Sequence, residues 1–395
     1  MSEPSAPVGP AVLIAAASGR ALAAAARRAG FSPLTADLFG DDDARALSAA
    51  SRRVGDWREG FSAVPLIAAL DELSDGREPI GLVYGAGFED RIEILDELGE
   101  RWPLLGTPPA VARRAKDPLA LAALCRALAI PHPDTRLDPP ENPEGWLAKA
   151  RGGAGGAHIL PAAQIPSAAH APDDAHYYYQ HYYQRRVAGE PASVLLLCAG
   201  GGARALGLSR QWAAPAPDSP FRYGGCLRPA DLAKALEERL VDAAGRLAAA
   251  LGARGLVSVD FLVEGDAFHL IEVNPRPGAT LDIYEDRDGR LFAAHVEACR
   301  DAVACAGQPP AALAFEGAAA AAVAYARSEI SIMPTLDWPE WAADRQSPRS
   351  FVGAGEPICT VTARAGEPLA VRALIETRLG ALADAIQQET GRQAP

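Results

Sequence analysis

Residues 256–278 constrain the chain more than any other segment. They read Leu-Val-Ser-Val-Asp-Phe-Leu-Val-Glu-Gly-Asp-Ala-Phe-His-Leu-Ile-Glu-Val-Asn-Pro-Arg-Pro-Gly. Successive side chains on a strand point to opposite faces. Val257, Val259, Phe261 and Val263 therefore share an apolar face, and Ser258, Asp260, Leu262 and Glu264 share the other. On the returning strand, Leu270, Glu272 and Asn274 share a face. Register then decides what meets. A two-residue turn at Gly265-Asp266 sets Asp260 and Glu272 on opposite faces. A three-residue loop, Gly265-Asp266-Ala267, pairs Glu264 with Phe268 and Asp260 with Glu272. The odd loop is the expectation. It gathers Asp260, Glu272 and the amide oxygen of Asn274 at one end of the hairpin. Facing carboxylates repel and stay ionised together only with a cation between them. Oxygen donors without thiol or imidazole suit Mg²⁺, and substrate phosphates commonly complete its shell. The alternative is a solvated hairpin whose acids do nothing.

Two further segments carry chemistry. Lys149-Ala-Arg-Gly-Gly-Ala-Gly-Gly-Ala-His158 lets backbone amides approach a phosphate, with Lys149 and Arg151 supplying positive charge. Its spacing is not that of a Walker loop, and a mobile surface loop is the other reading. Gln184-Arg-Arg-Val-Ala-Gly-Glu190 could offer an adenine edge a backbone donor and acceptor. A central strand with a glycine turn reads the same residues without a ligand.

Composition excludes several classes. The chain has 395 residues, enough for two or three domains. Hydrophobic residues make up 49% and charged residues 22%, which argues against disorder. A net charge of −12 argues against nucleic-acid and anionic-membrane partners but leaves room for a small anion in a local basic pocket. Cys125, Cys198, Cys226, Cys299, Cys305 and Cys359 form no C-x-x-C pair, and reduced interior thiols are expected. The polar start of the chain lacks a signal-peptide pattern, and the apolar run 11–17 is too short for a membrane span. The expected setting is cytoplasmic.

Along the chain, 11–17 reads as a buried strand, 19–29 as a helix, and 33–38 and 80–84 as further strands. This opens a parallel α/β sheet, with no G-x-G-x-x-G after its first strand. Asp117-Pro118 caps a helix running to about residue 128. Strands follow near 146–149 and 177–187, and a long helix over 229–251. The tyrosine-rich run 177–183, with His176 and His181, reads as a strand packed on both faces rather than a metal site. Beyond about residue 310, short strands at 318–326, 330–333 and 357–362 and a helix over 368–388 read as a small separate α/β unit.

In chain order, Lys116-Asp117, Lys149 with its glycines, residues 184–193, Asp260 and Glu272-Val-Asn-Pro-Arg-Pro-Gly278 resemble the ATP-grasp superfamily over about residues 106–301. The most specific part is E-x-N-x-R with an acid twelve residues upstream, which also marks biotin carboxylase and carbamoyl phosphate synthetase. The resemblance implies an α/β class with α+β lobes. A Rossmann-like domain (1–105) precedes two ATP-grasp lobes (106–185 and 186–310), and the small α/β domain (311–395) follows. It further implies that Lys116 and Lys149 contact ATP phosphates, that Gly153, Gly155 and Gly156 form a phosphate flap, and that Gln184 and Val187 touch adenine. The ribose acid falls at Glu190, with Pro191 as the other reading of that position. Asp260, Glu272 and Asn274 would hold Mg²⁺ or Mn²⁺, with Lys149 and Arg276 catalytic. Ser258 stands where an arginine often precedes the first acid, leaving Arg204, Arg210 or Arg222 to replace it. Arg222 lies where the superfamily often places acceptor contacts, and with Arg276 it would bind a substrate carboxylate; a surface turn is the alternative. Residues 37–42, 83–89 and 357–361 also resemble an ATP-grasp group of methylotrophic bacteria. That group is associated with one-carbon carriers related to tetrahydromethanopterin and methylofuran.

The implied activity is an ATP- and Mg²⁺-dependent carboxylate–amine ligase acting through an acyl phosphate, with an amino acid such as glutamate as one substrate. An ATP-dependent carboxylase using bicarbonate and a non-catalytic nucleotide-binding regulator are the rivals. Alanine-rich helix faces permit a homodimer.

Overall fold

A computed structural model of the chain describes residues 9–165, 181–284, 288–300 and 313–393. Most of the tyrosine-rich run (177–180), His176 and Cys305 lie outside them. The chain builds three sheets. The first contains β1 (Ala11–Ala16), β2 (Ser32–Asp37), β3 (Ala50–Arg53) and β4 (Leu82–Tyr84), all parallel, in the order β3-β2-β1-β4. The inner strand β1 is a continuous apolar run because both its faces are covered, whereas the edge strand β3 is polar and ends exposed. The second is antiparallel, with β5 (Thr135–Arg136), β6 (Trp146–Ala150), β7 (Ile159–Pro161) and β8 (His181–Arg185) in the order β5-β8-β6-β7.

The third sheet carries most of the molecule. It is antiparallel and contains β9 (Glu190–Ala199), β10 (Gly202–Ala213), β11 (Tyr223–Arg228), β12 (Gly255–Glu264), β13 (Ala267–Asn274), β14 (Ala318–Tyr325), β15 (Ala342–Ala343) and β16 (Pro357–Ala365). Their order is β13-β12-β9-β10-β11-β14-β16-β15. On β9 the alternation serves two cores. Val194 and Leu196 face the helix Lys234–Leu251, through Leu236, Leu240 and Leu247. Leu195 and Leu197 face the helix Arg290–Arg300 and, beyond it, Val12, Ile14 and Leu22 of the first domain.

The expected separate terminal unit needs correction. Strand β14 pairs with β11, so the terminal strands extend the central sheet. Ala319 and Ala321 pack into the shared core with the first domain, while Ala320 and Ala322 pack under the closing helix Pro368–Gln393. Both faces of β14 are thus buried, one in the shared core and one under the closing helix. Residues 330–333 form no strand, and Ile330 makes a single bridge to Val352. The long helix starts at Lys234, five residues later than its leucines suggest, because residues 229–233 form an irregular lead-in after Pro229. Cys125, Cys198, Cys226, Cys299 and Cys359 are free and buried. Among the described residues, no helix is long and apolar enough to cross a membrane.

One imidazole fastens the first domain to the central sheet. His295 is fully buried. Its Nδ1 accepts from the Leu256 amide at 2.9 Å, and its Nε2 faces the Leu105 carbonyl at 3.0 Å. Nδ1 must accept and Nε2 must donate, which fixes a neutral ring. Burial pulls its pKa from 6.5 down to about 4. Between those values the unfolded chain binds the proton and the folded chain does not, so this contribution is lost as the pH falls. At about pH 5 the loss is roughly 2 kcal/mol for one such group. Denaturant unfolding of the wild type and His295→Gln should therefore show a stability gap that narrows by about that amount from pH 7.5 to 5. A pH-independent gap contradicts the neutral-ring assignment.

Candidate active site

The hairpin of β12 and β13 places its acids together by a route other than the expected loop. Glu264 pairs with Ala267, so the turn is the two-residue Gly265-Asp266, with Gly265 at φ +57°. A bulge at Ile271, between the Phe261–Leu270 and Asp260–Glu272 pairs, then shifts the phase. Leu270 consequently lies on the apolar face with Phe268 and Val273, not with Glu272 and Asn274 as the alternation suggested. The outcome that mattered survives: Asp260 faces Glu272, and Ser193 of β9 faces Asp260 from the other side. One row across three strands thus reads Ser193–Asp260–Glu272.

Hydrogen bonds fix this row. Ser193 Oγ donates to Asp260 Oδ1 at 2.6 Å, and Asn274 Nδ2 donates to Asp260 Oδ2 at 2.9 Å. Lys116 Nζ bridges Glu272 Oε1 at 2.6 Å and Asn274 Oδ1 at 2.9 Å. The two acids therefore separate electrostatically. Burial, and then the neighbouring Glu272, push Asp260 up to about 6 against the pull of Ser193. Burial also pushes Glu272 up, but Lys116, Lys149 and His158 outweigh it and hold this carboxyl below its ordinary value. Lys116 reaches the row because Pro118 keeps the preceding Asp117 extended and ends the helix Pro109–Lys116. Asp117 then caps the next helix through the Ala120 amide at 2.7 Å.

Lys149 arrives from the second sheet. On β6 it lies opposite Tyr182, diagonal to Gln184 on β8, and its Nζ donates to Gln184 Oε1 at 2.7 Å. Gln184 in turn donates to Thr135 Oγ1 at 3.2 Å. Both side chains are buried. Burial, with Lys116 nearby and Glu272 opposing, pulls Lys149 down to about 8. Gln184, expected at adenine, thus holds Lys149 in place.

Arg276 follows the hairpin and points at the first domain. Its Nε and Nη2 reach Glu89 Oε1 at 2.8 and 2.5 Å, and Nη2 lies 3.4 Å from Asn274 Oδ1. Glu89 Oε2 accepts from the Gly87 and Phe88 amides at 2.7 and 3.0 Å. Burial opposes ionisation of Glu89, yet Arg276, Lys116 and these amides bring it down to about 2. Nothing around Glu89 in the sequence marks it for this role except the segment 83–89 noted above. Ser193 and Gln211, 3.4 Å from Asp260 Oδ1, were likewise invisible without the register.

The glycine loop lies across the cleft. Gly152 has φ +70° and abuts the Glu89–Asp90 backbone, where a Cβ would come within 2.4 Å of Asp90 Cα. Gly156 has φ +74° and abuts the Phe221 carbonyl, where a Cβ would come within 2.0 Å. The Tyr223 amide donates to the Gly155 carbonyl at 2.8 Å. Gly153, between them, faces the His158 ring. The remaining candidates sit apart from the acid row. Arg222 donates to the Ala214 and Gly355 carbonyls at 2.9 and 2.7 Å and stacks on Tyr325. Arg210 donates to the Ala230 carbonyl at 2.7 Å. Glu190 is exposed and pairs with Val263, and Val187 is partly buried between the two sheets.

The oxygen row suits a small, hard cation. Asp260 and Glu272 present carboxylate oxygens on one face beside the Asn274 amide oxygen, and the Lys116 ammonium already bridges Glu272 and Asn274 as a cation would.

Comparison with known proteins agrees with this geometry. Residues 116–280 match the family described as ATP-grasp domain. The carbamoyl phosphate synthase large chain of Thermus thermophilus is 28% identical over 227 residues, 53% of this chain and 22% of that protein. The chain therefore spans about a fifth of that relative's length. Biotin carboxylase of Campylobacter jejuni superposes with a TM-score of 0.66 at 15% identity, covering 91% of this chain and 89% of that one. The biotin carboxylase domain of Hydrogenobacter thermophilus 2-oxoglutarate carboxylase, solved with MgADP and bicarbonate, gives 0.65 at 11% identity, covering 90% and 86%. At these identities the likeness to the solved structures is one of fold. Acid row, lysines, glycine loop and family match converge on the same residues: in a mixed α/β fold, the chain carries an ATP-grasp domain over residues 116–280.

Proposed function

We propose that the chain is an ATP- and Mg²⁺-dependent ligase that joins a carboxylate to an amine through an acyl phosphate. The observation that carries this reading is the facing pair Asp260–Glu272 with Lys116, Lys149 and Arg276 directed at the same cleft. Phosphoryl transfer needs mainly positioning and charge neutralisation. A substrate carboxylate oxygen attacks the γ-phosphorus of ATP, and ADP leaves. The amine nitrogen then attacks the acyl carbon, phosphate departs with the bonding pair, and the nitrogen gives up a proton. Lys116 and Lys149 bind the phosphates, and the loop amides at Gly153, Gly155 and Gly156 cover them. Asp260, Glu272 and Asn274 hold the Mg²⁺, which neutralises phosphate charge; Mn²⁺ serves the same donors. Gln184 and Val187 border the base, and Glu190 is the ribose contact. Arg276 steadies the reacting carboxylate, and Arg222 is a further carboxylate contact. Transfer of an amino acid in one-carbon cofactor biosynthesis belongs to this reading through the resemblance of residues 37–42, 83–89 and 357–361. The alanine-rich faces admit a homodimer, as the Hydrogenobacter domain is described to form.

A second reading, ATP-dependent carboxylation of bicarbonate, is favoured by one observation. Two solved structures that cover most of this chain, and are themselves mostly covered, are biotin carboxylases. ADP release that depends on bicarbonate favours it, and release that depends on an acid–amine pair favours the ligase.

Calorimetric titration tests the nucleotide site. MgATP should bind the wild type saturably, and omitting Mg²⁺ or substituting Glu272→Ala should each weaken binding at least ~10-fold, the loss of about one charge-assisted interaction. Binding indifferent to both rules out the metal assignment. A second measurement tests Arg276. Its ion pair with Glu89 is nearly sealed from solvent, with side-chain exposures of 10% and 7%. Glu89→Ala leaves that charge uncompensated and should cost about 3–5 kcal/mol in denaturant unfolding. A cost below about 1 kcal/mol, typical of exposed pairs, shows that Glu89 does not fix Arg276.

A further inference from the structure

A second concavity opens behind the acid row, between the first domain and the end of the central sheet. It consists of two adjoining cavities of about 260 and 120 Å³ that share Ser18, Phe39, Val323, Asp344 and Thr360 as lining. Pro277 and Gly278, which directly follow Arg276, line the larger one together with Tyr223, whose amide seats the glycine loop. The walls are mainly apolar. Asp41, Asp282 and Asp344 line this space, Asp37 and Asp43 lie near Asp41, and all but Asp41 have fixed tasks. Asp37 accepts from the Gly19 and Gly40 amides at 3.2 and 2.8 Å. Asp43 accepts from the Asp344 and Arg345 amides at 2.9 and 3.0 Å. Asp282 and Asp344 share the Arg20 guanidinium, at 2.5 and 2.8 Å.

Asp41 is the exception. It is only 3% exposed and lines the smaller cavity. Among the described residues its carboxyl has no hydrogen bond and no ion pair. Burial, then Asp344, Asp37 and Asp43, push it up to about 9 against the pull of Arg20. A buried carboxyl without a partner is costly unless a ligand supplies one.

We propose that this double cavity is the binding site of the amine substrate, taken up as an ammonium ion with an apolar body, its charge on Asp41 and its body against Phe39 and Val323. Asp41 releases its own proton to solvent as the cation enters and takes one from the nitrogen before that nitrogen attacks. The inference rests on the ligase reading and names the substrate class for it. One uncommitted carboxylate suits an ammonium, whereas Mg²⁺ needs several oxygens that Asp37, Asp43, Asp282 and Asp344 have already given to other partners. The position also fits, because the cavity wall continues into the segment that carries Arg276.

Calorimetry with benzylamine, benzyl alcohol and phenylacetate on the full chain tests it. Benzylamine should bind the wild type at least 10-fold more tightly than either of the others. Asp41→Asn should erase that preference. Val323→Phe, which takes up cavity volume and leaves the Asp41 carboxyl in place, should weaken benzylamine binding at least 10-fold. Equal binding of amine and alcohol overturns the proposal, as does a preference that survives both substitutions. No benzylamine binding at all also overturns it. MgATP titrated into the same wild-type sample separates the two readings. MgATP binding without an amine preference defeats only the amine pocket, and an amine preference without MgATP binding defeats the nucleotide site.

Discussion

The structure depends on two carboxylates held face to face. Asp260 and Glu272 stand directly opposite each other on adjacent strands, an arrangement in which like charges repel. The protein tolerates this because both oxygens of Asp260 meet donors, from Ser193, Gln211 and Asn274, and Oε1 of Glu272 meets the Lys116 ammonium. Those partners come from four separate places in the chain. The helix junction at Lys116-Asp117-Pro118, β9, β10 and the end of β13 must all be in place before the pair is stable. A site assembled this way is a consequence of the whole fold, and its geometry is correspondingly stiff.

The first domain is coupled to that site through buried polar contacts as well as apolar packing. Glu89 clamps Arg276, His295 ties Leu105 to Leu256, and Arg20 reaches across to Asp282 and Asp344. Each contact joins the parallel sheet to the central one. The cleft between them is therefore bounded by rigid elements on both sides, while the glycine loop, docked against Asp90 and Phe221, closes its mouth.

Much of this was legible in the residues. The period-two alternation of β12 and the cap at Asp117 were readable directly. So were the strand-helix start of the first domain and the convergence of Asp260, Glu272 and Asn274. The facing of Asp260 and Glu272 rests on a different local feature from the expected three-residue loop. A two-residue turn followed by a bulge at Ile271 has the same net offset as a three-residue loop, and alternation cannot distinguish them. The terminal strands read as a separate unit because an alanine-rich strand does not reveal that it has two partners. Glu89, Ser193 and Asp41 were missed as site residues because their meaning lies in contacts with residues distant in sequence. A carboxylate on a loop looks the same whether it meets solvent, an arginine or an empty cavity.

The central claim is that Asp260 and Glu272 together hold a divalent cation against the phosphates of ATP. Electron paramagnetic resonance of Mn²⁺ with ATP carrying ¹⁷O in its γ-phosphate tests this most directly. The account predicts ¹⁷O broadening of protein-bound Mn²⁺ in the wild type, and loss of the bound signal when Asp260→Asn and Glu272→Gln are combined. A bound Mn²⁺–ATP spectrum that is unchanged in the double variant contradicts it.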